Sequence, residues 1–138
     1  MLSQIHKAYT LEYNIPNHNV IQEVSVSPCD SDPCVLKKGT TGTFSVTFVA
    51  PDDSKKLTAQ MSAIIGGLRL PAPHFDRNVC NGYGVECPVT KGNRYNYKYV
   101  MKVLPEYPAI RTTFRLSAKD DKGNSVFCFK MPVRLVNS

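Results

Sequence analysis

Apolar and polar side chains alternate along most of this chain, and no segment repeats its apolar residues at the three-to-four-residue spacing of an amphipathic helix. The clearest run has on one face Tyr95, Tyr97, Tyr99, Met101 and Val103. Because successive side chains of a strand point to opposite faces, such a run predicts a strand with one buried face. About seven short strands separated by turn signals predict an all-β, two-sheet β-sandwich.

Five further runs share this period of two. Their apolar positions are Val20, Val24 and Val26; Phe44, Val46 and Phe48; Leu57, Ala59, Met61, Ala63 and Ile65; Ile110, Thr112, Phe114 and Leu116; and Phe127, Phe129, Met131 and Val133. Gly66-Gly67 is predicted to end or bulge a strand, and residues 120–124 to form a hairpin turn. The proline-rich residues 70–74 are predicted to be a stiff loop, and Pro132 to lie near an edge or a bulge.

The length of 138 residues suits one domain. Residues 1–19 lack a periodic pattern and are predicted to be a variable or artificially added segment that could hold a first strand, followed by the domain at 20–138. No apolar run approaches the roughly 20 residues of a membrane-spanning helix. The first residues also lack the apolar core of a signal peptide, so a secreted form is expected to have lost its leader already.

The formal net charge of +6 leaves two interpretations open. Lys and Arg occur in short groups such as Lys37-Lys38, separated by acids, which favours a dispersed, solubilising charge. An anion-binding face is the alternative. Nucleic acid is not expected as a partner, because the tyrosines and the cations of residues 94–103 lie on opposite faces.

The five cysteines fit two local pairs and one remaining residue. Cys29-Cys34 and Cys80-Cys87 each bracket a short turn-forming segment, so both pairs are predicted to be disulfides formed in an oxidising compartment. Zinc is the competing interpretation. It fits less well, because the spacings are not those of a zinc knuckle or ribbon and the three histidines do not accompany the cysteines.

The sequence contains no nucleophile elbow, zinc-protease helix, phosphate-binding loop or dinucleotide fingerprint. A Ser/His/Asp site remains open, since these residue types are present although nothing places them together. We expect no enzymatic activity, no catalytic residue, no cofactor and no metal.

Several short segments together resemble a known family. They are Val24-Ser25-Val26-Ser27-Pro28-Cys29 with Cys34 and Gly39, Asn78-Val79-Cys80, Cys87-Pro88-Val89 with Lys91, Tyr95 and Tyr97, Glu106-Tyr107-Pro108, Asp120-Asp121-Lys122, and Phe127-Cys128 with Pro132-Val133. Together they resemble the MD-2-related lipid-recognition (ML) family, and the resemblance covers about residues 20–136.

The resemblance implies an immunoglobulin-like sandwich with an apolar cavity between its sheets. It also implies secretion, or delivery to an endolysosomal lumen. The mouth of the cavity in the family's sterol carriers matches Val103, Tyr107 and Pro108. Together with the apolar strand faces, the predicted ligand-binding residues are Val26, Phe44, Val46, Phe48, Met61, Ala63, Ile65, Leu70, Ala72, Tyr97, Tyr99, Met101, Val103, Tyr107, Pro108, Ile110, Thr112, Phe114, Leu116, Phe129, Met131 and Val133.

This chain departs from the family at several positions. Ala72 stands where the sterol carrier has an aromatic gate, which implies a wider entrance, and Leu116 and Phe129 replace interior tryptophans. The family's partner for Cys128 is also missing, because Asn14 lies near its place. Cys128 is therefore predicted to be a free thiol.

The predicted function is lipid binding and transport by a monomer that encloses a sterol, a fatty acid or a hydrophobic semiochemical. A lipid-accepting membrane protein or receptor is the expected protein partner. Innate-immune recognition of a microbial lipid and a solid-core adhesion module are the alternatives. Selectivity is expected to be loose, because one methylene is worth only about 1–3 kcal/mol in an apolar site.

Overall fold

A computed structural model of the chain describes residues 10–11, 20–29, 31 and 33–137. These residues form strands and loops, and none of them belongs to a helix that could cross a membrane. The strands are β1 (Thr10–Leu11), β2 (Ile21–Ser27), β3 (Cys34–Lys37), β4 (Thr41–Val49), β5 (Thr58–Ile65), β6 (Leu68–Pro71), β7 (Arg94–Lys102), β8 (Arg111–Lys119) and β9 (Ser125–Val136).

The strands form two sheets, as the alternating pattern predicted. The larger sheet has the order β1-β9-β8-β5-β6, with β3 also paired to β9, and the smaller has the order β2-β4-β7. The described residues form nine strands, where the sequence predicted about seven. The additional strands β1, β3 and β6 have two to four residues, too few for alternation to identify them.

The core lies between the two sheets and is formed by the alternating faces. In β4, every second residue from Gly42 to Phe48 is buried, and β7 buries Tyr97, Tyr99 and Met101. At one end the two sheets are in contact through Phe48 and Phe127, whose ring centroids lie 5.3 Å apart. This aromatic contact joins the smaller sheet to the larger one.

Pro132 lies within β9, a central strand of the larger sheet, and it is nevertheless accommodated. On one side it pairs with Thr113 of β8. On the other side, β1 ends its described pairing at Lys130 and β3 begins at Val133. Pro132 therefore occupies a gap between two neighbouring strands, a local edge where the missing N–H costs no ladder hydrogen bond.

The predicted strand end at Gly66-Gly67 and the predicted hairpin turn at 120–124 are both present. Gly66 and Gly67 have φ values of 59° and 81° and connect β5 directly to β6 as a hairpin. Asp120 caps the turn before β9, since its side chain accepts hydrogen bonds from the N–H groups of Lys122 (2.9 Å) and Asn124 (2.8 Å).

Two local predictions are wrong. Leu70 and Pro71 belong to β6 and not to a loop, because the Gly-Gly hairpin turns the chain back to pair with β5. Ile110 lies just before β8 and is only partly buried. Its carbonyl accepts a hydrogen bond from the N–H of Leu135 at 2.8 Å, so the segment pairs locally although it is not part of the strand.

The N-terminal prediction is partly outside the described residues. Thr10 and Leu11 pair with Lys130 and Phe129 of β9. Residues 1–9 and 12–19 are not described, and the domain boundary at residue 20 stays a prediction.

Candidate functional site: an apolar cavity between the sheets

A cavity of about 210 Å³ lies between the sheets at the end opposite the Phe48 and Phe127 contact. Its walls come from β5, β6 with the following residues 72–73, β8, the ends of β7 and β9, and the segment 107–108. Leu70 and Pro108 are exposed at its rim, so this is the side on which the cavity meets solvent.

Small side chains on one wall explain why space remains here. Ala63 of β5 lies directly opposite Leu70 of β6 and Phe114 of β8. Phe114 also contacts Phe44 of the smaller sheet, with ring centroids 6.0 Å apart. The Phe44 and Phe114 contact therefore closes one side of a space that an alanine at position 63 cannot fill.

The structure brings ten of the predicted residues together around this cavity. They are Met61, Ala63, Ile65, Leu70, Ala72, Met101, Tyr107, Pro108, Thr112 and Phe114. The other predicted residues do not line it. These are Val26, Phe44, Val46, Phe48, Tyr97, Tyr99, Val103, Ile110, Leu116, Phe129, Met131 and Val133, and all except Ile110 are buried in the core. Alternation identifies an inward face, but not which part of that face packs and which part borders a space.

Four residues of the lining were not predicted: Ser62, Pro71, Pro73 and Leu135. Leu135 continues the buried alternation of β9 and could have been found from the pattern. Pro71 and Pro73 flank Ala72 and reach the cavity because β6 folds back over β5. No sequence signal marks Ser62, which is buried although it falls in the polar phase of its strand.

Among the described residues, the lining includes no charged side chain and three polar ones, those of Ser62, Tyr107 and Thr112. Thr112 is 7% exposed, and its Oγ1 donates a hydrogen bond to the carbonyl of Ile64 at 2.8 Å. Burial raises the pKa of Tyr107, and the nearby charge of Glu106 adds to that effect. The tyrosine therefore carries a neutral hydroxyl at physiological pH.

A cluster of aromatic rings stands beside the cavity on the smaller sheet. Phe75 and Tyr83 contact Tyr99, with ring centroids 4.6 and 5.3 Å apart, and Tyr83 also contacts Tyr97 edge-on at 6.1 Å. Burial raises the pKa of Tyr97, whose hydroxyl oxygen is buried without a hydrogen-bond partner. These contacts hold the loop 75–83 against β7.

The carboxylate of Asp76 organises the same loop. It accepts hydrogen bonds from the hydroxyl of Tyr83 (2.7 Å), the side chain of Asn81 (2.8 Å) and the N–H of Asn78 (2.9 Å). The Tyr83 bond is the main cause of a lowered Asp76 pKa, and the same bond raises the pKa of Tyr83 to about 12. Asp76 thus has a structural role and does not face the cavity.

Both predicted disulfides are confirmed. Cys29 is bonded to Cys34, and Cys80 to Cys87. The zinc interpretation is thereby removed for these four sulfurs. Cys128 is buried in β9 and takes part in neither disulfide, and its free thiol stays a prediction.

A two-sheet sandwich enclosing an apolar cavity defines the class of this protein, and comparison with known proteins gives its family. The ML-domain profile matches residues 13–135. The NPC intracellular cholesterol transporter 2 of Mus musculus is 37% identical over 118 residues, which are 86% of this chain and 78% of that protein.

Solved structures agree on the fold. A Niemann-Pick type C2 protein from Japanese carpenter ant superimposes with a TM-score of 0.78 at 21% identity, covering 90% of this chain and 98% of that chain. Chicken MD-1, solved as a complex with lipid IVa, gives a TM-score of 0.53 at 18% identity, with coverage of 91% and 96%. The chain belongs to the ML-domain family.

Proposed function

We propose that this protein binds a hydrophobic small molecule in the cavity between its sheets and transports it without chemical change. The observation that carries the proposal is the cavity itself, because the residues that line it in the described part of the chain are uncharged and mostly apolar. Removing apolar surface from water contributes about 25 cal/mol per Å², so such a lining favours an apolar ligand. The similarity to a cholesterol transporter of the same family supports this assignment.

The size of the cavity bears on how a ligand would fit. About 210 Å³ is below the roughly 300–1,000 Å³ of sites that hold drug-sized ligands. A sterol or a long acyl chain would therefore have to widen it. Strand β6 is the wall best suited to move, because it is exposed along its length and pairs only with β5 among the described strands.

The setting of this function is part of the proposal. The two disulfides support folding in an oxidising compartment, as expected for secretion or for an endolysosomal lumen. Action as a monomer and transfer to a membrane protein or receptor are further parts of the proposal. The solid-core adhesion alternative is disfavoured by the internal space next to Ala63 and Phe114.

The test is displacement of a fluorescent sterol and of a fluorescent fatty acid by unlabelled ligands. We expect saturable binding of one ligand per chain, and native mass spectrometry of the purified protein should show the same stoichiometry. Absence of saturable uptake of either probe would refute the proposal. Strong preference for lipid A over both would favour microbial-lipid recognition instead.

A further inference from the structure

The outer face of the larger sheet carries an excess of positive charge. The strands of this sheet, as the structure describes them, contain seven of the 17 Lys and Arg residues and none of the 11 Asp and Glu residues. These cations occupy the outward positions of the alternating pattern, as Arg134 does between the buried Val133 and Leu135. The positive charge is therefore concentrated on one surface, which favours the anion-binding interpretation of the sequence.

Two arginines stand directly opposite each other on this face. Arg111 of β8 pairs with Arg134 of β9, and both are exposed. Opposite residues of an antiparallel pair have Cα atoms only about 4.5–5.5 Å apart, and like charges placed there repel each other. No ion pair joins either arginine to a carboxylate of the described residues. An anion bound between the two side chains would offset this repulsion.

An open depression of about 300 Å³ lies beside the arginine pair. Ile64, Thr113 and Pro132 line it and lie side by side on β5, β8 and β9, and Arg111 lines it as well. Arg69 of β6, which pairs with Ile64, is exposed at the other end of this row. An elongated ligand lying across the strands along the row would therefore contact Arg69 at one end and the arginine pair at the other.

A second cationic pair lies on the same two strands. Arg115 and Lys130 are register partners, four residues away from Arg111 and Arg134 along β8 and β9. Both take part in other interactions, so we leave them out of the proposed surface. The cationic face is defined here by Arg69, Arg111 and Arg134, together with the depression between them.

The chemistry of the cationic face favours a hydrophilic polyanion over a membrane or a protein. The large apolar side chains that are exposed among the described residues lie elsewhere, Leu68 and Leu70 in the inward phase of β6 and Val100 on the smaller sheet. Binding to a bilayer surface requires apolar side chains that enter it, and protein interfaces are dominated by aromatic anchors. The described strands of the larger sheet present neither on their outer face.

We propose that the cationic face binds a sulfated polysaccharide of the glycosaminoglycan type. Sulfate groups repeat along such a chain, and a guanidinium donates two parallel N–H bonds to an oxyanion, so one chain can contact Arg69 and the arginine pair together. Thr113 offers a hydroxyl to the sugar rings between them. This site lies on the opposite side of the sheet from the apolar cavity and does not depend on lipid binding.

The experiment measures binding of a heparin-derived octasaccharide by titration calorimetry at physiological ionic strength. The variant Arg111→Gln/Arg134→Gln should raise the dissociation constant at least about fivefold, because two charge-assisted contacts are lost. Lys98→Gln/Lys102→Gln is the matched control. It removes the same amount of charge from two exposed lysines of β7 in the smaller sheet, and the dissociation constant should stay within about twofold of wild type.

Three outcomes would overturn the proposal. Equal weakening by the two double variants would show attraction to net charge alone. Equal binding of chemically desulfated heparin, which keeps its carboxylates, would show that sulfate is not recognised. Binding to vesicles of phosphatidylcholine and phosphatidylserine that requires Arg111 and Arg134, without binding of the octasaccharide, would assign the face to a membrane.

Further measurements separate this site from folding and from the cavity. Arg111→Gln/Arg134→Gln should unfold at the wild-type temperature or above, because repulsion between the arginines is removed. If this variant does not fold, Arg69→Gln provides a second reading and should raise the dissociation constant about twofold to threefold. Displacement of the fluorescent sterol should be unchanged in each variant, since none of these arginines lines the cavity. Failure of sterol binding in wild-type protein would refute the proposed function and leave the polysaccharide site standing.

Discussion

At the scale of single residues, Ala72 contributes no more than a methyl group to the lining of the cavity, at the position where the sequence predicted a wider entrance. Its N–H donates a hydrogen bond to the carbonyl of Met61 at 2.9 Å, which holds this position against β5. The backbone at position 72 is therefore held in place, and a larger side chain there would extend from this fixed position.

Substitution Ala72→Phe is expected to narrow the entrance and to shift preference toward compact, rigid ligands, because an aromatic ring occupies far more area than a methyl group. Affinities for a sterol and for a long-chain fatty acid should diverge in the variant when both are measured by probe displacement. Leu68→Ala is the control, since Leu68 is 66% exposed on the neighbouring strand and does not line the cavity. Equal affinity ratios in Ala72→Phe and wild type would show that Ala72 does not control access.

At the scale of elements, strand β6 depends on the turn that precedes it. Gly66 and Gly67 both have positive φ, and a Cβ atom at either position would meet no neighbouring atom within 4 Å. Backbone strain alone therefore decides which residues fit there. Because Leu70 and Pro71 of β6 form one wall of the cavity, the turn also positions part of the site.

Substitution Gly67→Val should destabilise the protein by about 1–2 kcal/mol, because a β-branched residue is strained at positive φ. Ligand affinity should fall as well, since β6 would be held less firmly. Gly66→Asn is the matched variant, as asparagine tolerates this conformation and Asn-Gly suits a two-residue hairpin. Urea denaturation and probe binding measure both effects, and equal stability of the two variants would contradict this account.

At the scale of the whole molecule, the sandwich is packed at one end and open at the other. Ala59 and Ala63 lie on the same face of β5. Ala59 is buried in the packed core, whereas Ala63 borders the cavity. The same chemical change at these two positions should therefore have opposite consequences.

Substitution Ala63→Leu should fill the cavity, with stability unchanged or increased by up to about 2 kcal/mol at roughly 0.8 kcal/mol per buried methylene. Ligand affinity should fall at least tenfold. Ala59→Leu should instead overpack the core, at a cost of about 1–3 kcal/mol. Chemical denaturation and probe displacement are run on both variants. Undiminished ligand affinity in a stable Ala63→Leu protein would place the ligand outside this cavity.

The alternation of side chains was sufficient to predict the two-sheet architecture and most buried positions, because a period of two determines which face of a strand leaves water. The spacing of Cys29, Cys34, Cys80 and Cys87 likewise predicted both disulfides, since each pair closes a short local loop. These are features of neighbouring residues, and they need no knowledge of distant contacts.

Only the tertiary structure decided where the interior is empty. Phe48 and Ala63 both occupy inward positions, yet one packs against Phe127 across the sheets while the other borders a space. The hairpin that turns β6 back places Pro71 and Pro73 on the cavity, and the gap between β1 and β3 admits Pro132 into a central strand. The internal space, the position of β6 and the gap beside Pro132 all depend on distances between sheets or between strands. Side chains that are distant in sequence set these distances, so no local sequence pattern contains them.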